Sequence, residues 1–178
     1  NNRVLVFEPP LVSGMDASQV YGQSGSFTTN GGCTHVGTTT AGALCLPQGV
    51  AIDGAENLFL VDTNDHRVLE FDGAASTFSQ TPNLVIGQPD FTHKICNNDG
   101  TNTTGLPPSA QSLCVPEGVA VDAQENVYVV DHGNNRVLEY NKPLTTHALQ
   151  PSATLVFGQA GIFTTPYCDA NTSPPTVN

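Results

Sequence analysis

The sequence has little positive charge, no tryptophan and no long apolar run. Only five of its 178 residues are lysine or arginine, against sixteen aspartates and glutamates, and the formal net charge is −11. Because such an acidic surface repels a phosphate backbone, we expect no nucleic-acid partner. No stretch reaches the roughly 18 apolar residues of a membrane-spanning helix, so we expect no membrane insertion.

Several signatures of enzymes and metal sites are also missing. The sequence contains no G-x-S-x-G, no phosphate-binding glycine loop and no C-x-x-C. The sequence therefore offers none of the common motifs for an activated serine, a bound nucleotide or a structural zinc. The sequence has instead five cysteines and loops rich in Thr, Asn, Gly and Pro, which favour a secreted protein in an oxidising compartment.

An internal repeat organises the chain. Residues 45–62 read CLPQGVAIDGAENLFLVD, and residues 114–131 read CVPEGVAVDAQENVYVVD, with no gap between the two copies. The similarity continues through residues 63–72 and 132–141, and NNRVLVFE at residues 1–8 is a third copy of that stretch. A repeat of this kind predicts a repeated supersecondary unit rather than one irregular domain.

Each complete unit contains four short runs rich in Val, Ile, Leu, Phe or Tyr, bounded by turn-forming residues. Such runs predict β-strands, and four antiparallel strands form one blade of a β-propeller. The predicted strands lie at residues 49–53, 57–61, 67–71 and 83–87, and again at 118–122, 126–130, 136–140 and 154–158. A G-Q dipeptide follows the last run of each unit, at Gln23, Gln88 and Gln159.

We therefore predict a single propeller segment over residues 1–178 with about two and a half blades. Residues 1–23 are the end of one blade, 24–88 and 89–159 are each an insertion loop plus a full blade, and 160–178 begin a further insertion. A blade leaves its faces exposed until a neighbour covers them. We expect a larger assembly, made of further repeats of the chain or of a ring or fibre of copies.

Three strings carry a resemblance to a known family. P-x-G-V-A-[VI]-D, N-[LV]-[FY]-[LV]-V-D and R-V-L-E-[FY] resemble NHL repeats, over most of both complete units and residues 1–8. The resemblance implies an all-β fold, a β-propeller of NHL type, which in this family has six blades. The chain departs from the short NHL unit by a longer insertion that carries the G-Q marker and a cysteine pair.

The cysteines follow the repeat. Cys33 and Cys45 flank one insertion, and Cys96 and Cys114 flank the next. Four cysteines allow three connectivities, and the matching positions favour the disulfides Cys33–Cys45 and Cys96–Cys114. Cys168 begins a third insertion and has no partner in this chain, so we expect further chain beyond it.

Two sequons also share one phase of the repeat. Asn102 and Asn171 each follow the first cysteine of an insertion and lie in Asn-Thr-Thr and Asn-Thr-Ser. We predict N-linked sugar on both, because insertion loops project from the blades.

Charged residues recur at fixed positions too. Arg3, Arg67 and Arg136 occupy one repeat position, and Asp62 and Asp131 end the preceding strands. We predict structural pairs in which each arginine ties its hairpin to a carboxylate or to backbone carbonyls.

Metal binding is the alternative for this hairpin. His66 resembles the histidine that a peptidylhydroxyglycine lyase of the same superfamily uses for zinc, but the other histidines do not align with the repeat. Hard oxygens at residues 62–65 and 131–134 suit calcium, without the spacing of a known loop. We expect capped turns there, and neither zinc, calcium nor another cofactor.

These features predict a non-enzymatic extracellular scaffold or binding protein that is glycosylated and part of a cell-surface structure or fibre. The expected partners are proteins or carbohydrates, and further copies or repeats of the chain. The alternative is a metal-dependent lyase of the NHL propeller superfamily in the complete chain, for which His66 is the candidate ligand and fold analogy the only support.

Overall fold

The structure is a computed structural model that describes residues 1–29, 33, 39–73, 79–98, 100–101, 103–146 and 149–167. Within these residues the chain forms ten short strands in three antiparallel sheets, and its only α-helix is the single turn α1 at Pro143–Thr146. No helix in this part of the chain is long and apolar enough to cross a membrane. The predicted all-β, propeller-like fold is confirmed.

Two of the sheets are four-stranded and one is two-stranded. The half-blade pairs β1 (Val4–Val6) with β2 (Gln19–Tyr21). Blade 1 contains β3 (Pro47–Ile52), β4 (Leu58–Asp62), β5 (Arg67–Phe71) and β6 (Leu84–Ile86), in that order. Blade 2 contains β7 (Pro116–Val121), β8 (Val127–Asp131), β9 (Arg136–Tyr140) and β10 (Leu155–Phe157) in the same order. The division of the loops and of residues 160–178 stays a prediction.

The first strand of each blade begins two residues earlier than predicted. Pro47 pairs with Asp62, and Pro116 pairs with Asp131, before a register irregularity restores the regular ladder. An irregularity of this type adds a residue to one strand and bends it. A proline is tolerated at the first residue of a strand, where it need not donate to the ladder.

Two apolar clusters hold the three sheets together. The first lies between blade 1 and blade 2, and the second lies between the half-blade and blade 1. In the first, Phe59, Val61 and Val68 of blade 1 pack with Val129 and Leu138 of blade 2. The three sheets therefore stack face to face, as the blades of a propeller do.

Gly49 allows the first strands of the two blades to approach closely. A Cβ at this position would lie 2.8 Å from Cγ2 of Val61 and 3.1 Å from the carbonyl oxygen of Glu117. Any larger residue would push β3 away from β7. The glycine of the P-x-G string is therefore explained by backbone packing between blades.

The two blades differ in how completely they are covered. Every residue of β4, β5 and β6 is buried, because blade 1 has a neighbour on each face. Among the residues that the structure describes, blade 2 has blade 1 on one face only, and on the other face Val130, Leu155 and Phe157 are 42, 51 and 49% exposed. We call this second face the outer face of blade 2; its side chains are those of Tyr128, Val130, Val137, Leu155 and Phe157.

Candidate functional site

The charged residues that recur in each complete hairpin are buried as an ion pair. Asp62 lies opposite Arg67 in the β4–β5 ladder, and Asp131 lies opposite Arg136 in the β8–β9 ladder. The Nε–Oδ2 distances are 2.8 Å and 2.7 Å, and all four side chains are 0% exposed. Hairpin geometry thus places each pair, as the repeat position predicts.

The rest of each guanidinium holds the insertion loops. Arg67 donates through Nη1 to the carbonyl of Phe91 at 2.6 Å, and through Nη2 to those of Thr40 at 3.0 Å and Ala43 at 2.9 Å. In blade 2 the equivalent bonds of Arg136 go to the carbonyls of Phe163, Ser109 and Ser112. We call this arrangement the arginine brace; it joins a hairpin to the loop before it and the loop after it.

The carboxylates of the brace have a second partner. Oδ1 of Asp62 accepts a hydrogen bond from the Cys45 N–H at 2.5 Å, and Oδ1 of Asp131 accepts one from the Cys114 N–H at 2.7 Å. Burial raises the pKa of Asp62 to about 6, although Arg67 and the Cys45 N–H act to lower it. Burial raises the pKa of Asp131 as well, although Arg136 and the Cys114 N–H act to lower it.

The residues before Arg3 and Arg67 each connect one sheet to the next. Oδ1 of Asn2 accepts a hydrogen bond from the Leu46 N–H at 3.0 Å, and Nδ1 of His66 accepts one from the Val115 N–H at 3.0 Å. Leu46 and Val115 occupy the same position, just after the second cysteine of an insertion, with φ of 52° and 50°. The side chain before the arginine therefore secures the strained start of the following blade.

His66, the zinc candidate, takes part in this contact. An imidazole nitrogen that accepts a hydrogen bond carries no proton, so the ring is neutral. Burial lowers the pKa of His66, which favours that neutral form, although Asp65 acts in the opposite direction. In the described part of the chain no three His, Cys, Asp or Glu side chains lie close enough to hold a metal ion. The residues around His66 do not fit a zinc site.

The carboxylates considered for calcium point at protein donors. Oδ2 of Asp65 accepts from the Thr39 hydroxyl at 2.6 Å, and Oδ2 of Asp131 accepts from the Asn134 amide at 2.8 Å. These oxygens are already occupied by protein donors, and among the described residues no three acidic, histidine or cysteine side chains come close enough to hold a cation. Residues 63–65 and 132–134 form 3-10 turns, and the side chains of the preceding Asp62 and Asp131 cap no backbone N–H of these turns, so the predicted capped turns are wrong. The residues do not fit a calcium site either.

The G-Q marker has a structural role that the sequence does not reveal. Gln88 is fully buried, and its Nε2 donates to the carbonyls of His66 at 3.0 Å and Ile95 at 2.9 Å. Gly87, just before it, has φ of 93°, where glycine is favoured. Equivalent amide bonds run from Gln23 to Asn2 and from Gln159 to Asn134 and Asn135. In the sequence, the only signal of this role is the fixed position of the G-Q marker at the end of the last strand of each unit.

The disulfides are those that the repeat predicts. The structure joins Cys33 to Cys45 and Cys96 to Cys114, with separations of 12 and 18 residues. Each bridge closes an insertion at the cysteine whose N–H is held by the brace carboxylate. The predicted sites Cys168, Asn102 and Asn171 lie outside the described residues.

Comparison with known proteins agrees with this geometry. Residues 113–140, which contain β7, β8, β9 and the Asp131–Arg136 pair, match the family model described as NHL repeat. No curated protein shows a significant match to the chain. Blade 1 has the same strand order and the same brace, so its structure resembles that of the repeat matched in blade 2.

Proposed function

We propose that the chain is a non-enzymatic scaffold or binding protein that assembles through the faces of its blades. The observation that carries this proposal is the outer face of blade 2. Its apolar side chains occupy the positions of Val61, Leu84 and Ile86 in blade 1, which are no more than 2% exposed because blade 2 covers them. An exposed apolar sheet face of this kind is typical of a surface that a partner covers.

The partners that fit this face best are further copies, or further repeats, of the same chain. The surface that covers the equivalent face of blade 1 is itself a blade of the same type. A contact between two different faces of one molecule repeats from copy to copy, and gives a ring or a fibre. Other proteins and carbohydrates are the partners that we propose for the insertion loops.

The non-enzymatic part of the proposal is supported by how the chemically active side chains are used. Arg67, Asp62 and His66 all make contacts that hold hairpins and loops in place. These are the residues that sequence patterns single out, and each has a structural partner. We propose no metal-dependent lyase chemistry for them.

An extracellular location is proposed on the chemistry of the loops. Both insertions that the structure describes at their ends are closed by disulfides, which persist in oxidising compartments. We propose N-linked sugar at Asn102 and Asn171, because the sequons recur at one phase of the repeat.

Sedimentation velocity over a range of concentrations tests the scaffold proposal. We expect the wild-type chain to associate, and Phe157→Asp to abolish the association, because a charge would be buried in the contact. Leu149→Asp is the matched control, since Leu149 is 50% exposed but lies in a loop and is not one of the strand side chains that form the outer face. A chain that stays monomeric at every concentration, or a Phe157→Asp variant that still associates, contradicts the proposal.

A further inference from the structure

One of the hydrogen bonds that join blade 1 to blade 2 has a titratable acceptor. Nδ1 of His66, in the turn between β4 and β5, accepts a bond of 3.0 Å from the N–H of Val115. Only an unprotonated ring nitrogen can accept such a bond. We call this contact the His66 joint; it exists only while the ring is neutral.

The same position of the repeat has elsewhere an acceptor that does not titrate. Oδ1 of Asn2 accepts a bond of the same length, 3.0 Å, from the Leu46 N–H, between the half-blade and blade 1. An asparagine side chain is an uncharged amide and gains no proton in the pH range of a folded protein. Acid can therefore act on the His66 joint and leave the Asn2 joint as it is.

The His66 joint holds Val115 in an unfavourable conformation. The φ of Val115 is 50°, in the left-handed region that β-branched residues avoid. Pro116 follows as the first residue of β7 and has no N–H to donate. Cys114 precedes it and carries the disulfide to Cys96. Loss of the joint therefore frees the short segment in which the insertion ends and β7 begins.

The acids on the hairpin of His66 are paired with other groups. Oδ2 of Asp65 accepts from the Thr39 hydroxyl at 2.6 Å and lies 3.7 Å from Nη2 of Arg67. Asp62 forms the brace with Arg67. Burial lowers the pKa of His66 more strongly than Asp65 raises it. Among the described residues, no carboxylate of this hairpin accepts a hydrogen bond from the ring.

The acids on the neighbouring elements are paired as well. On blade 2, Oε1 of Glu117 lies 3.3 Å from Nδ1 of His132. In the loop after β6, Oδ1 of Asp90 lies 2.7 Å from Nδ1 of His93, and the remaining charge of that loop segment, Lys94, is positive. Within the described part of the chain none of these groups forms a hydrogen bond or ion pair with the imidazole of the joint.

Acid does not oppose the packing of the blades themselves. The cluster between blade 1 and blade 2 is apolar, and its contacts do not depend on protonation. Glu70 lies on the same face of β5 as Val68 of this cluster, and burial raises the pKa of Glu70 to about 7. Acid therefore removes the charge of Glu70 and favours its burial. A proton on His66 should thus open the joint while the blades stay packed.

We propose that His66 is a pH switch for one of the two disulfide-closed insertions. A proton from solvent occupies Nδ1, the Val115 N–H loses its acceptor, and two donors face each other until the ring turns away. The start of β7 and the base of the Cys96–Cys114 insertion then loosen, while the Cys33–Cys45 insertion keeps its joint. This regulation of a loop goes beyond the proposed scaffold function and does not depend on association through blade faces.

Hydrogen exchange of single amides, followed by NMR from about pH 7.5 to about pH 4.5, tests the switch. The bond is fully present above the ordinary histidine pKa of 6.5 and is lost as the pH falls through the lower pKa of the folded chain. We expect the protection factor of the Val115 amide to fall roughly tenfold, as for the loss of one hydrogen bond. The Leu46 amide, whose acceptor is Asn2, is the internal control and should keep its protection.

Variants at His66 separate the switch from other effects of acid. His66→Asn introduces the acceptor of the other joint and should protect the Val115 amide at every pH. His66→Ala removes the acceptor, so the Val115 amide should exchange fast at every pH. His132→Asn removes the neighbouring histidine and should keep the wild-type response.

Three results overturn the proposal. The first is a Val115 protection factor that does not change with pH in the wild type, and the second is a pH response that persists in His66→Asn. The third is a parallel loss of protection at the amides of Val68 and Val129, in the strands between the blades, which would show global unfolding instead of a local switch.

Discussion

At the scale of single residues, we expect the loss of Arg67 or Arg136 to be especially costly for stability. Each forms a buried ion pair and holds three backbone carbonyls from two loops. Buried charges are costly unless they are paired, and removal of one partner leaves the other without compensation. Replacement of either arginine is therefore costly mainly because a buried aspartate would lose its counter-charge, and less because the attraction within the pair is lost.

We expect Arg67→Ala to lower the free energy of unfolding by about 3–5 kcal/mol, because Asp62 would stay buried without its counter-charge. Urea denaturation followed by circular dichroism measures the change. Arg3→Ala is the control at the same repeat position; Arg3 is partly exposed and has no carboxylate partner among the described residues, so its loss should cost much less. Equal losses in the two variants would contradict the role of the buried pair.

Glu70 provides a prediction of pH dependence. Its side chain is 3% exposed, and its Oε2 has no hydrogen-bond partner among the described residues. Burial, together with Asp72 and Asp53, raises the pKa of Glu70 from 4.5 to about 7. Because the pKa is higher in the folded chain, the contribution of Glu70 to stability is fully present below pH 4.5 and is lost as the pH rises through about 7.

We therefore expect the chain to lose roughly 2 kcal/mol of stability between pH 5 and pH 8 through this one group. Glu70→Gln should remove that part of the pH dependence and stabilise the chain at pH 8. The repeat-equivalent Glu139→Gln, at a partly buried position of the less covered blade, is the control variant with which Glu70→Gln is compared. Denaturation midpoints at several pH values give both profiles. A pH profile that Glu70→Gln leaves unchanged would refute this assignment.

At the scale of elements, each insertion is attached to its blade by three means. A disulfide closes it, the brace carboxylate holds the N–H of its second cysteine, and the arginine holds two of its carbonyls. These contacts lie at the loop ends, close to the strands. The insertions are thus anchored at their bases.

We expect Cys96→Ser combined with Cys114→Ser to lower the free energy of unfolding by about 3 kcal/mol, the value for a closed loop of this size. The strands of blade 2 should still form, because Asp131 continues to hold the N–H of residue 114. Chemical denaturation measures the loss, and far-ultraviolet circular dichroism checks the strands. A double variant as stable as the wild type would show that the bridge adds nothing to the hydrogen bonds beside it.

The elements also show where sequence reasoning succeeds and where it stops. The strands and the Arg67–Asp62 pair could be predicted, because strand alternation and hairpin pairing are local and repeated. The early start of β3 could not, since it depends on the positive φ of Leu46 and on a side chain from another sheet. The His66–Val115 bond joins residues 49 positions apart and has no local signal. Contacts between repeats are thus the part of the structure that could not be predicted from the single sequence.

At the scale of the whole molecule, apolar attraction and net charge oppose each other. The outer face favours association, while a formal charge of −11 on each copy opposes it. Salt screens the repulsion between exposed charges over about 8 Å at physiological ionic strength and does not weaken apolar contacts. The association experiment should accordingly be run at physiological salt or above, where the outer face decides the outcome.

The arginine brace has a last consequence, for how this protein can vary. Arg67 grips its loops through the carbonyls of Thr40, Ala43 and Phe91, which every amino acid provides. The attachment of a loop to its blade therefore depends little on the side chains that the loop carries. Different residues therefore determine recognition and folding. The loop side chains can vary between relatives, or be randomised in a display library, without a change in the blades.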